Sequence, residues 1–134
     1  MSETLSEMPP EFWLGVEQFN QQEFYACHDT LEALWMEALE PEKTFYQGVL
    51  QIAVAFYHLG NHNQRGAIIL LGEGMNRLRR YLPSFGEIDL TQLLERSRAV
   101  QAVLQASQVA DPSAMPAEAD LVPPVIQRLG PEPV

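Results

Sequence analysis

Two histidines, a glutamate and two glutamines stand where helical periodicity asks for apolar side chains. At roughly 100° per residue, His28 falls in the middle of the stripe Phe24, Leu31, Trp35 and Leu39, with Glu32 one turn later. Gln47, Gln51 and His58 share a face of a second helical stretch further along. If the two stretches form an antiparallel hairpin closed near Pro41, His28 and Glu32 come toward Gln51 and His58. Buried polar groups must be paired, because an unsatisfied one costs about 1–3 kcal/mol. Three chemistries suit such a cluster. A satisfied network, with protonated His28 and Glu32 bridged by the glutamines, would fix helix register. A glutamate beside a histidine is also a proton-transfer pair, with Glu32 as general base, His28 and His58 as acids, and glutamine amides orienting a carbonyl or a water. Finally, His28 and Glu32 at i, i+4 with His58 from the next helix would make a three-ligand metal site with an open position. Such a site suits zinc or non-haem iron better than magnesium. Gln47, Gln51, Trp35 and Asn61 are the accompanying candidates for ligand contact.

Other residue types carry less chemistry. Cys27 adjoins His28, but helical neighbours point about 100° apart, so the pair is no catalytic dyad and Cys27 reads as a small buried hydrophobe. Trp13 and Trp35 read as core or interface anchors. His62, within Gly60-Asn61-His62-Asn63, reads as a loop residue beside His58 that could close over a site. Gly72-Glu73-Gly74 lies inside a helical pattern with no preceding strand, so it is not a phosphate loop. Arg77, Arg79 and Arg80 read as a solvated helix C-terminus, where cations oppose the negative end of the dipole.

Five helices must position these residues. The first, about Glu11 to Phe19, carries Phe12, Val16 and Phe19. Asn20-Gln21-Gln22-Glu23 has the spacing of a capping box, which starts the second helix near Gln21 and runs it to about Leu39. The third, about Glu42 to Leu59, has one face of Phe45, Val49, Ile52 and Phe56 and is apolar on other sides too, so it belongs at the centre of its bundle. Gly60-Asn61 ends it. The fourth, about Gln64 to Leu82, turns Ala67, Leu71, Met75 and Leu78 inward, with Gly66 and Gly74 where backbones approach closely. The fifth starts at Asp89, three before Gln92, and buries Leu90, Leu93, Leu94, Ser97, Val100 and Leu104. No strand run, Asn-Gly hairpin or internal repeat is visible, so the class is all-α: a compact bundle of about five helices over residues 1–107. Residues 108–134 hold six prolines. They read as an irregular Pro-rich tail whose pieces Leu121-Val122 and Val125-Ile126 can pack back on the bundle.

Composition narrows the function classes. The chain has 134 residues, 46% hydrophobic and 19% charged, as an ordinary single domain does. One cysteine excludes a disulfide framework and a multi-cysteine zinc ribbon. The net charge is −10, and residues 1–42 hold ten acidic side chains with no Lys or Arg, which argues against nucleic-acid binding by bulk electrostatics. Met1 to Phe12 lack the basic and apolar regions of a secretory signal, and no apolar run spans a bilayer. A cytoplasmic protein without membrane attachment is expected.

Phe19-Asn20, Phe24, His28-Asp29, Leu31-Glu32 and Trp35 resemble the signature of the uncharacterised family catalogued as domain of unknown function 309. So do Gln47-Gly48, Gln51, Ala53, His58, Asn61 and Arg65-Gly66-Ala67, and the resemblance covers about residues 12 to 82. It implies a compact helical bundle and no established activity, and its motif contains His28, Glu32, Gln51 and His58. The leading expectation is a small helical module that binds a small molecule or a protein. The alternative is a metal-assisted or acid–base, hydrolase-like enzyme using His28, Glu32 and His58. A homodimer is a third expectation, because the third helix is apolar on two sides.

Overall fold

The computed structural model describes residues 6–130. Residues 1–5, where a leader is read as lacking, and 131–134, the end of the Pro-rich tail, lie outside it. The fold is all-α. Helix α1 spans Pro10–Asn20, α2 Phe24–Glu37, α3 Glu42–Gly60, α4 Gln64–Leu78 and α5 Leu90–Ala110. Each packs chiefly on the helix before and after it. None of these helices is long and apolar enough to cross a membrane.

The apolar stripes do most of the positioning. Phe12, Val16 and Phe19 of α1, the four read on α3, the four read on α4 and all six read on α5 are buried. Helix α3 is central, with both apolar sides covered inside the chain by α2 and α4. The dimer expectation therefore loses the uncovered face that motivated it. The α3–α4 crossing is set by two glycines. A Cβ on Gly74 would stand 2.9 Å from the Gly48 carbonyl oxygen, and one on Gly48 would stand 2.6 Å from Leu78 Cγ. Gly66, by contrast, abuts only the side chain of Asn63, which caps its own helix by accepting from the Gly66 N–H at 2.9 Å.

The boundary before α2 differs from the capping-box expectation. Asn20 is the last residue of α1, and α2 starts at Phe24 with no side-chain cap. The intervening residues instead close α1 as a Schellman motif, the double-bonded helix ending built around one left-handed residue. The Glu23 N–H reaches the Gln18 carbonyl at 2.8 Å and the Gln22 N–H reaches that of Phe19 at 3.0 Å, with Gln22 at φ 64°. Helix α3 ends the same way forty residues later. Asn63 N–H bonds the His58 carbonyl at 2.8 Å, His62 N–H bonds that of Leu59 at 3.0 Å, and His62 has φ 63°. His62, not Gly60, is thus the left-handed residue.

That match extends through both hairpins and corrects the absence of a repeat. Phe12, Gly15, Val16, Phe19, Phe24, Cys27 and Leu31 are buried, and so are Ile52, Ala55, Phe56, Leu59, Gln64, Ala67 and Leu71, each forty residues on. Only Leu31 and Leu71 are identical across these pairs. Helices α1–α2 and α3–α4 are two copies of one helical hairpin stacked side by side, with α5 closing the outer face of α4.

A small antiparallel hairpin, absent from the sequence reading, joins α4 to α5. Strand β1 (Ser84–Phe85) pairs with β2 (Ile88–Asp89) in the register Ser84 with Asp89 and Phe85 with Ile88. Gly86 and Glu87 both have positive φ, at 59° and 65°, as a two-residue primed turn requires. A Cβ on Gly86 would also lie 2.9 Å from the Phe45 ring. The Glu87 carboxylate is held by the Ser6 hydroxyl and the Glu7 N–H, both at 2.9 Å, and faces Arg128 at 3.6 Å. Asp89 then caps α5, accepting from the Gln92 N–H at 3.1 Å.

The C-terminal segment returns across the bundle. Leu121, Pro124 and Ile126 are buried, while Val122 and Val125 are half exposed. Asp89 N–H donates to the Gln127 carbonyl at 2.9 Å and Leu129 N–H to that of Glu87 at 2.8 Å. Asn20 is occupied here. Its Nδ2 donates to the Ile126 carbonyl at 3.1 Å and its Oδ1 accepts from the Ile126 N–H at 2.7 Å.

Candidate functional site

The polar residues do not converge in one buried cluster. His28 keeps a quarter of its side chain exposed and Glu32 about half. The His28 Nε2 lies 3.7 Å from Glu32 Oε2, and its Nδ1 lies 3.2 Å from Asp29 Oδ1. The cause is the rotation of α2, which buries Phe24, Cys27 and Leu31 and so leaves His28 at the edge of the apolar face. Leu39, read as the end of that stripe, is 82% exposed beyond the helix. Gln51 is buried on α3 but turns toward α4, its Nε2 donating to Glu73 Oε1 at 3.3 Å while its Oε1 has no partner among the described residues. His58 instead pairs across the α3–α4 turn, Nδ1 to Asn63 Nδ2 at 3.4 Å. Gln47 is half buried.

The metal and acid–base expectations change accordingly. Among the described residues, the potential ligand atoms within 4.8 Å of one another belong to His28, Asp29 and Glu32, not to His58. These three come from a single turn of α2 and lie at the surface, offering one imidazole and two carboxylates. His28 and His58 are instead the ends of a row of rings. His28 stands 6.1 Å from Tyr25, Tyr25 5.3 Å from Tyr57, and Tyr57 6.0 Å from His58. A row of exposed aromatic rings offers contact area, not a shared proton or ion.

The remaining candidates have structural partners. Cys27 is fully buried, and burial pushes its thiol up to about 12, against a weaker opposing hydrogen bond from the Phe19 backbone. It is therefore unreactive in the folded protein. Trp35 carries the Lys43 ammonium 4.4 Å over its ring, and that ammonium donates to the Trp35 carbonyl at 2.8 Å. Its own Nε1 is buried without a partner. Trp13 donates to the Ser6 hydroxyl at 2.8 Å and lies under Arg128 at 3.9 Å. Both tryptophans act as anchors. Arg79 and Arg80 are exposed just past α4.

A concave site does form where the two Schellman turns meet the C-terminal segment. It is a cavity of about 700 Å³. Phe24, Phe56 and Leu59 supply the hairpin side of its wall, and Met115, Leu121 and Val122 line it from the tail. Phe24 and Phe56 stack at 5.6 Å with 29° between their planes. Gln22, Asn61 and His62 bring polar groups from the two turns, and Glu118 adds a carboxylate. The left-handed backbone at Gln22 and His62 shapes both turns that form this rim. Of the residues singled out from sequence, Asn61 and His62 belong to this cavity, while Gln47, Gln51 and Trp35 do not. Phe24 and Phe56 were legible only as core, and the tail's share had a signal only in its apolar pieces.

Comparison with known proteins finds a family and a relative, neither described by an activity. The chain is 32% identical over 89 residues to the uncharacterized protein YpuF of Bacillus subtilis (strain 168), a match covering 63% of this chain. The chain spans about half the length of that relative, 51%. The family model described as Domain of unknown function (DUF309) matches residues 12–70, from α1 into α4 and short of residue 82, where the resemblance ends. The matched stretch runs through the two stacked hairpins up to the middle of α4.

Proposed function

We propose that this chain is a ligand-binding helical module whose site is the cavity at the tips of the paired hairpins. The observation that carries this reading is the cavity itself, about 700 Å³, with a mainly apolar lining and a few polar groups from the two turns and from Glu118. That is the size and chemistry of a small-molecule pocket. The ligand it suits has an apolar, flat body to lie against Phe24 and Phe56. It also has a polar end to exchange hydrogen bonds with Gln22, Asn61 and His62.

The enzyme reading has less behind it. Its three residues are split between α2 and the far end of α3, and the His28–Glu32 pair lies at the surface.

A fluorescent naphthalene dye, 1-anilinonaphthalene-8-sulfonate, tests the proposal. Ala119 lines the cavity and is exposed, so Ala119→Trp fills the site without disturbing the core. One-site saturation by the parent, at least tenfold weaker in Ala119→Trp at an unchanged unfolding midpoint, is the expected outcome. Equal binding by the two proteins overturns the assignment.

A further inference from the structure

A second cleft, of about 480 Å³, lies where α1, α2 and the start of α3 meet. Three carboxylates line it from three different elements: Glu11 on α1, Glu37 at the end of α2 and Glu42 at the start of α3. None of the three has an ion-pair or side-chain hydrogen-bond partner among the described residues. No Lys or Arg lines the cleft. The next cation in the chain, Lys43, is spent on the Trp35 carbonyl and ring. Ala33, Leu34 and Ala38 add apolar lining to the cleft.

Acidic groups alone would be a solvated rim. Tyr46 sets this cleft apart. It lies in the wall with only 4% of its surface exposed, and its hydroxyl has no hydrogen-bond partner among the described residues. Burial, together with the Glu42 and Glu11 charges, raises its pKa. The phenol thus stays neutral, with a lone pair to offer a cationic donor and a proton to offer a carboxylate. A hydroxyl that opens into the cleft from a buried ring, with no partner among the described residues, stands here with carboxylates and aliphatic side chains, and that set matches one ligand chemistry, a charged amine on a hydrocarbon stem. A bare divalent cation would use the carboxylates but leave the apolar lining without a function.

We propose that this cleft binds an alkylammonium group, with the ammonium among Glu11, Glu37, Glu42 and the Tyr46 hydroxyl and its methylene stem along Leu34 and Ala38. The group can be carried by a free aliphatic diamine or by a lysine side chain, and two titrations separate these sources. Isothermal titration calorimetry at low salt would use 1,5-diaminopentane in one arm and Nα-acetyl-lysine methylamide in the other. One-site binding in either arm is expected, and the arm that binds identifies the source. Glu42→Gln should weaken it at least tenfold and Tyr46→Phe severalfold. The distant acidic replacement Glu95→Gln and the cavity-filling Ala119→Trp should leave it unchanged, which separates this site from the one proposed above. Thermal melts of the variants report folding. No saturable heat in either arm overturns the proposal. So does equal weakening by Glu42→Gln and Glu95→Gln, which would mean diffuse association with an acidic chain.

Discussion

Asn20 is the residue whose local reading and actual use differ most, and its removal has a calculable consequence. Its amide forms a two-bond pair with the backbone of Ile126, at 2.7 and 3.1 Å, across 106 residues of sequence. Ile126 is 2% exposed, so both of its backbone groups have poor access to water. Each bond contributes about 1 kcal/mol net, and a stranded buried partner costs about 1–3 kcal/mol. Asn20→Ala should therefore weaken docking of the C-terminal segment by about 2–3 kcal/mol. Because roughly 1.4 kcal/mol is tenfold in an equilibrium, amide exchange at Ile126 and Leu129 should accelerate about 30- to 150-fold. Amides at the centre of α3, such as Ile52 and Ala55, should keep their protection, because the damage is local. Hydrogen exchange resolved by residue reads both at once. Leu121 and Val122 of the same segment form part of the cavity wall, so dye binding should fall with docking. An acceleration below threefold at Ile126 and Leu129 would refute the claim that this pair anchors the segment.

Four further perturbations follow from the packing and the charges. Glu32→Gln should change the urea unfolding free energy by no more than about 0.5 kcal/mol, because its i, i+4 partner His28 is partly exposed at 3.7 Å. A loss of about 3–5 kcal/mol would instead reveal a buried ion pair. Gly74→Ala should destabilise by about 1–2 kcal/mol, since the new methyl meets the Gly48 carbonyl at 2.9 Å and outweighs a helix-propensity gain of about 1 kcal/mol. Gly60→Ala, with nothing within 4 Å, should be neutral or stabilise by up to about 1 kcal/mol in the same urea assay. Cys27 should make stability fall at alkaline pH. Its thiol rises from 9.0 to about 12 on folding, so between those values the unfolded chain loses a proton that the folded chain keeps. That contribution is in place below pH 9 and amounts to a loss of about 1.4 kcal/mol by pH 10. Urea titrations of the parent and Cys27→Ala at pH 8 and 10, under reductant, should differ by this amount.

How much was legible depends on the range of the interaction. The stripe on α5, Leu90 through Leu104, is buried residue for residue, because period 3.6 and one main packing partner, α4, decide it together. Helix α2 was read less well for a related reason. Its wheel admits a face centred on Phe24, His28 and Trp35 or one rotated toward Cys27 and Leu31, and only its neighbours α1 and α3 choose the second. The Asn20-x-x-Glu23 spacing is a true local signal for a capping box. It lost to a helix ending that recurs at His58 to Asn63 and to a contact with a residue 106 positions away. The Gly86-Glu87 turn was missed because two-residue strands carry no alternation to detect. The family resemblance gave the polar positions of the signature, but residue types could not say that Gln51 would turn to Glu73 and His58 to Asn63.

The repeat explains why the cavity lies where it does. Two like hairpins stacked side by side bring their turns to the same end of the bundle, and each turn needs one left-handed residue, Gln22 in one and His62 in the other. Left-handed backbone costs a non-glycine residue roughly 1 kcal/mol, a cost each Schellman ending offsets with two backbone hydrogen bonds. The same endings leave short polar turns over the last apolar residues of both hairpins, including Phe24, Phe56 and Leu59. A further helix over that end would bury the turns' polar groups without partners. An irregular proline-rich segment can instead lay Leu121 on the bundle while Gln64 Nε2 donates to the Ala114 carbonyl at 2.8 Å. What such a segment cannot do is fill the space to helical packing density, and the unfilled volume is the cavity. Of the polar signature residues, Asn61 therefore reaches the pocket because it sits in a turn where a hairpin ends, while His28, Glu32 and Gln51 lie along the helices away from it.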